Sequence, residues 1–195
     1  MRVNAGGSAV RRPTTVAKSD DVGRSRDQNS RMTATVRKLG VDDWKTLREI
    51  RLRALLDAPE AFYSTYEDAL KLDEDAWRNR LTTPGQVVLL AELDGRAAGM
   101  IGGGPASEDE GDPEAALMVS MWVEPESRGT GVAGALTTAL VDWTREQGHP
   151  GLLLWVYDAA PRAAAFYRRA GFTPTGRVEV FRNDGRPLTL MSMAL

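Results

Sequence analysis

The chain has 195 residues, 42% of them hydrophobic, enough for one domain with a sizeable apolar core. With no cysteine and a single histidine, His149, it cannot carry a disulfide framework, thiolate metal sites, a cysteine nucleophile or a His-rich metal centre, and a Ser-His-Asp arrangement is disfavoured. A net charge of -2 leaves no electrostatic footprint for nucleic acid, and no apolar run approaches the roughly 20 residues of a spanning helix. The expectation is a globular, cytoplasmic protein that uses no metal, nucleic acid or membrane.

The charge is unevenly placed. Residues 1–31 hold seven Arg or Lys against three Asp, a net +4, and the remainder carries -6. This leader contains no Leu, Ile, Phe, Trp or Tyr. It cannot bury enough apolar surface to offset chain entropy, which predicts a disordered basic tail (1–31) before a folded domain (32–195). No apolar segment follows the basic residues as in a secretory signal, and Asp20, Asp21 and Asp27 argue against a transit peptide. Met32 as the working start, with the leader an upstream extension, is an equally open reading.

Beyond the leader the elements alternate. Residues 34–39 read as a short strand. Asp42 is placed to cap a helix running to about Leu56, with Leu47, Ile50, Ala54 and Leu55 on one side. Residues 57–68 read as a helix break rich in aromatics, followed by a helix over about 73–81. Two strands, QVVLLAEL and RAAGMIGGG, meet at Asp94-Gly95, a hairpin signal. After an acidic loop (107–114), the uncharged run 116–123 predicts a strand and 130–147 a helix. GLLLWVY (151–157) predicts a strand buried on both faces. Pro161 suits a first helical turn that ends at Gly171, and two last strands, about 176–181 and 187–193, flank Asn183-Asp184-Gly185.

The stretch VEPESRGTGVAGAL (123–136) admits two chemical readings. Gly129-Thr130-Gly131-Val132-Ala133-Gly134 spells the G-x-G-x-x-G of dinucleotide sites, with Asp158 downstream. Five residues separate it from the strand, however, and only 37 follow Asp158, too few to complete a doubly wound domain. Alternatively, Arg128 to Ala133 is R-x-x-G-x-A after a strand and V-E-P. Small residues there let backbone N–H groups converge at a helix start, a nest for a pyrophosphate, with Arg128 adding charge. The plainer reading is a glycine-rich helix entry of structural purpose.

Here the sequence resembles the GNAT superfamily of acetyl-CoA-dependent N-acyltransferases. R-x-x-G-x-A matches the family's Q/R-x-x-G-x-G/A signature, Met121-Trp122-Val123-Glu124-Pro125 its strand and V-x-P lead-in, and AFYRRAGF (165–172) its aromatic helix end. The resemblance spans about residues 33–195 and implies an α/β fold: a mixed, mostly antiparallel sheet of six to seven strands flanked by about four helices. It also implies acetyl-CoA as co-substrate and transfer of the acetyl group to a primary amine by direct attack in a ternary complex. On it, the backbone of Met121, Trp122 and Val123 runs beside the pantetheine arm, and Arg128, Gly129, Thr130, Gly131, Val132, Ala133 and Gly134 hold the pyrophosphate.

Tyr167 matches the family tyrosine that protonates the departing thiolate; its plainer reading is a core tyrosine. Where many members have an asparagine at the start of that helix, this chain has Ala160. Glu124 and Asp158 are the candidate bases, with a water relay or a neutral amine as alternatives. Phe62, Tyr63 and Tyr66 are candidates for the acceptor pocket, or else pack the first helices on the sheet. The acidic loop either attracts a cationic amine or is simply solvated. The acceptor is read as a small-molecule or peptide amine and the assembly as monomer or homodimer. The alternative function is a non-catalytic acyl-CoA-binding or sensory module.

Overall fold

The computed structural model describes residues 34–180 and 185–195; the expected tail (1–31), and Asn183 and Asp184 of the last turn, lie outside them. Among the described residues seven strands form one sheet: β1 (Thr35–Lys38), β2 (Val87–Leu93), β3 (Arg96–Pro105), β4 (Ala116–Val123), β5 (Gly151–Tyr157), β6 (Thr173–Glu179) and β7 (Leu188–Ala194), in the order β1-β2-β3-β4-β5-β7-β6. Every neighbouring pair is antiparallel except β4 and β5. The mixed, mostly antiparallel α/β fold expected from the sequence is therefore present.

The helices are α1 (Trp44–Asp57), α2 (Tyr66–Leu70), α3 (Glu74–Thr82), α4 (Val132–Glu146) and α5 (Pro161–Arg169). Leu47, Ile50, Leu55 and Trp77 of α1 and α3 bury against Leu90, Met100 and Trp122 of the sheet. Leu136 and Leu140 of α4, with Tyr167 of α5, bury in a second cluster with Ile101, Met118 and Leu154. Removal of these apolar side chains from water, at about 25 cal/mol per Å², is what holds helices to sheet.

Boundaries differ from the sequence expectation where local polar chemistry prevails. The stretch read as a helix break contains α2, whose N-cap Thr65 accepts from the Asp68 N–H; five residues are too few to show a period. β6 starts at Thr173, ahead of Pro174, because an edge strand tolerates a residue without an N–H. The Asp94-Gly95 turn has φ of 50° and 74°, the doubly left-handed conformation of a tight hairpin.

The feature that shapes the site is a bulge in β4. Met100 pairs with Trp122 and Gly102 with Val119, so Ser120 and Met121 together face Ile101. Ser120 has φ of 57°, a left-handed conformation that costs a non-glycine residue roughly 1 kcal/mol or more. Across the bulge the pleat inverts. Met118 and Trp122, four residues apart, would share a face in a regular strand; here Met118 buries against α4 and Trp122 against α1.

Candidate active site

The parallel ladder between β4 and β5 spans only three residue pairs, ending at Met118 opposite Leu154. Beyond it, Val119 to Val123 have no strand partner on the β5 side, and the two strands separate. A cavity of about 160 Å³ opens there, lined by Ser120 and Met121 of β4, Trp155 and Tyr157 of β5, Tyr167 of α5, and Phe62 from the α1–α2 connection. The gap brings together residues from both faces of the sheet, since Phe62 belongs to the α1 cluster and Tyr167 to the α4 cluster.

Tyr167 is 9% exposed, set edge-on between Phe166 and Phe172 at centroid distances of 5.3 and 5.8 Å. Burial pushes its phenol up to about 12, because the phenolate would lose its hydration. The phenol therefore stays protonated at neutral pH. Its position follows from α5: Pro161 opens the helix, Gly171 at φ 104° ends it, and Ala163 and Tyr167 fall on the side that lines the cavity.

Past β4, a single turn at Pro125–Ser127 leads into Gly129 and Gly131, with φ of 84° and 98°, and α4 begins at Val132. These two positions need glycine for the reversal itself. No side chain caps α4, so the N–H groups of Val132, Ala133 and Gly134 have no partner within the helix. A Cβ added at Gly129, Gly131 or Gly134 would meet nothing within 4 Å. Unpaired amides at the positive end of a 15-residue helix, beside open space, suit a pyrophosphate.

Residues 44–172 match the family model of the acetyltransferase (GNAT) family. The chain belongs to that family. Mycothiol acetyltransferase of Thermobifida fusca is 30% identical over 139 residues, covering 69% of this chain and 42% of that protein, so the chain spans less than half of its length. Among solved structures, a GNAT-family acetyltransferase from Streptococcus pneumoniae superposes with a TM-score of 0.69 at 19% identity, covering 84% of this chain and 100% of that one. The yncA protein of Salmonella typhimurium, solved with acetyl-CoA, gives 0.67 at 23% identity, covering 84% and 94%. At those identities the likeness is one of fold.

Within this GNAT domain the predicted site residues are distributed unevenly. Met121 and Phe62 share the cavity with Tyr167. The indole of Trp122 lies on the other face and donates to Asp57 at 2.9 Å; at this position only the backbone faces the strand gap. Arg128 is engaged within the protein: its Nε donates to the Val123 carbonyl at 3.1 Å, and its guanidinium pairs with Asp57. Thr130 bonds back to the Ser127 carbonyl through both Oγ1 and N–H.

Neither candidate base lines the Tyr167 cavity. Glu124 is ion-paired with Arg53 and borders a separate cavity with Arg96 and Ser127. Asp158 is exposed and accepts from Thr189 Oγ1 at 2.6 Å, tying β5 to β7 rather than capping α5, whose N-cap Ala160 has no side-chain cap bond. Tyr63 is 81% exposed, and Tyr66 lines a groove between α1 and α2. His149 has a structural bond, its Nδ1 lying 2.7 Å from the Glu114 carbonyl. Ser107 and Glu110 close a capping box within the acidic loop.

Sequence reasoning missed Arg51. It is 8% exposed, its Nη1 donates to Ser120 Oγ at 2.9 Å, and its guanidinium lies 4.4 Å from the Phe62 ring centroid. The available signal was an arginine one position after Ile50 on the apolar side of α1. Among the described residues, no group of histidine or carboxylate side chains forms a metal site, and no helix is long and apolar enough to cross a membrane.

Proposed function

We propose that this chain transfers an acetyl group from acetyl-CoA to a primary amine by direct attack in a ternary complex. The observation that carries the reading is a buried phenol, Tyr167, in a cavity opened between β4 and β5, with β4 running on into the glycine turn and the uncapped start of α4.

The amides of Val132, Ala133 and Gly134, with the turn at Gly129–Gly131, would hold the pyrophosphate. The unpaired edge of Met121, Trp122 and Val123 would take the pantetheine arm as an added strand does. When bound, acetyl-CoA supplies an acyl carbon activated as a thioester. The cavity walls hold the amine for attack, and a backbone N–H near Val123 stabilises negative charge on the acyl oxygen. As the new C–N bond forms and the C–S bond breaks, the Tyr167 hydroxyl gives its proton to the sulfur and is reprotonated, through water, by the second proton that the acylated nitrogen sheds. The ammonium proton leaves through water to Glu124 or Asp158, since neither carboxylate reaches this cavity directly. Calorimetry with acetyl-CoA, followed by thiol release across amine classes, tests the reading; no binding at high micromolar ligand rejects it.

A second reading draws on the missing side-chain cap at Ala160 and on the distance of both carboxylates from Tyr167: an acyl-CoA-binding module without turnover. Coenzyme binding with no thiol release from any amine selects it.

A further inference from the structure

The β4 bulge borders two cavities. One holds Tyr167; the other, of about 180 Å³, lies between the α1–α3 helices and the middle of the sheet, and both are lined by Val119 and Ser120. The second is largely apolar, with Leu47, Trp77 and Met100 among its walls, yet among the described residues two cations line it, Arg51 and Arg80, and no carboxylate does. A guanidinium at 8% exposure is costly unless it is paired with an anion.

Among the described residues neither arginine is in a salt bridge. Arg51 has its single side-chain bond to Ser120 Oγ and its stack on Phe62; Arg80 lies over the Trp77 ring at 5.4 Å. An arginine carries five N–H donors in a planar fork, so most of the donating capacity of Arg51 is uncommitted. Burial and the like charge of Arg80 lower Arg51 to about 10, still well above neutral, so the cavity keeps its positive charge under working conditions. Arg51 touches Ser120 and Phe62, both of which line the Tyr167 cavity, so an anion held on Arg51 lies next to side chains that border the reacting centre.

We infer that this cavity is the anion subsite of the acceptor: the amine presented to Tyr167 belongs to a small amino carboxylic acid with an apolar side chain, and its carboxylate is held by Arg51 with Arg80 at the entrance. The inference rests on the acetyl-transfer reading above and specifies its substrate class. Arg51 binds rather than reacts, so its loss raises KM for the acid while kcat at saturation is kept.

The test compares ligands that differ in one group. With coenzyme A bound to the full chain, calorimetry measures N-acetyl-L-leucine against N-acetyl-L-leucinamide, and thiol release measures L-leucine against L-leucinamide and 3-methylbutylamine. The acid is expected to bind roughly tenfold to a hundredfold tighter than the amide, the range of a hydrogen bond to a charged partner. Arg51→Met abolishes this preference and Arg80→Gln reduces it, both with coenzyme affinity unchanged. Equal binding of acid and amide by the unaltered chain overturns the inference, as does a preference that survives Arg51→Met. If Arg51→Met does not fold, the unaltered chain and Arg80→Gln, a change at an exposed side chain, still decide it. Absence of coenzyme binding rejects acetyl transfer instead, and a retained preference for the acid then still supports the anion subsite.

Discussion

Asp57, the last residue of α1, accepts the indole N–H of Trp122 through Oδ2 at 2.9 Å, fastening the helix to the end of β4 just before the chain turns into the glycine loop. The same oxygen pairs with Arg128, which also donates to the Val123 carbonyl. One carboxylate thus fixes both ends of the lead-in to α4, and the arginine that the sequence assigns to a phosphate is occupied in holding the loop. Asp57→Ala leaves a donor on Trp122, 5% exposed, without its acceptor. The expected loss is about 1–3 kcal/mol of unfolding free energy in urea. A change below about 0.5 kcal/mol, the range of ordinary surface substitutions, counts against the fastening role.

Tyr167→Phe removes one oxygen and leaves the ring stack with Phe166 and Phe172 in place. Thiol release should fall by roughly 10²–10⁴-fold, the usual share of a general acid, while acetyl-CoA affinity in calorimetry is unchanged. A turnover equal to that of the unaltered chain removes Tyr167 from the mechanism. The phenol itself can be read in an alkaline absorbance titration. The difference between the unaltered chain and the phenylalanine variant should be a step near 12 rather than near 10. The sign follows from linkage: folding raises this pKa, so the native state binds the proton more tightly. The stability this contributes is full below pH 10 and is lost as pH climbs toward 12.

What could be read from the sequence was whatever repeats with a period or sits at a punctuated turn. β4 and β5 have the bounds their apolar runs predict, Asp94-Gly95 makes the predicted turn, and Gly171 ends α5. The bulge at Ser120 was not legible. It comes from pairing with β3, and nothing in ALMVSMWV breaks the apolar pattern enough to announce it. Its consequences, the separation of β4 from β5 and the inversion that sends Trp122 to the α1 side, were therefore hidden too. Arg51 was lost for a related reason: a charge on the apolar side of a helix reads as a face boundary until a long-range partner, here 69 residues away, is known. The burial of Tyr167 was legible because helical spacing aims it inward, whereas the pairing of Arg128 with Asp57, 71 residues away, was not.

Gly134 separates stability from ligand binding. It lies in the first turn of α4 with no atom within 4 Å of an added Cβ, and its φ is not left-handed. Gly134→Ala should therefore raise unfolding free energy by about 0.5–1 kcal/mol through the reduced entropy of the unfolded chain. If the open space beside it receives the pyrophosphate, the same methyl weakens acetyl-CoA binding. Opposite signs in thermal denaturation and calorimetry support the nest; a variant that is stabilised and binds as tightly as the parent places the ligand elsewhere.

Gly99 is the opposite case, a glycine required by packing. A Cβ there would lie 2.8 Å from the Trp122 carbonyl oxygen, 3.0 Å from Val132 Cγ1 and 3.1 Å from Leu136 Cδ1. The first is backbone of β4 and cannot swing aside; the other two belong to the opening turns of α4. Gly99→Ala should cost about 1–3 kcal/mol as overpacking does, and by displacing the start of α4 it should also weaken coenzyme binding. Gly104, on the same strand, is the control, since its nearest neighbour is Gln86 Cγ at 3.1 Å, part of a flexible side chain. Gly104→Ala should be nearly neutral in urea denaturation. Equal losses at the two positions would show that the cost lies in the glycine backbone rather than in the contact between β3, β4 and α4.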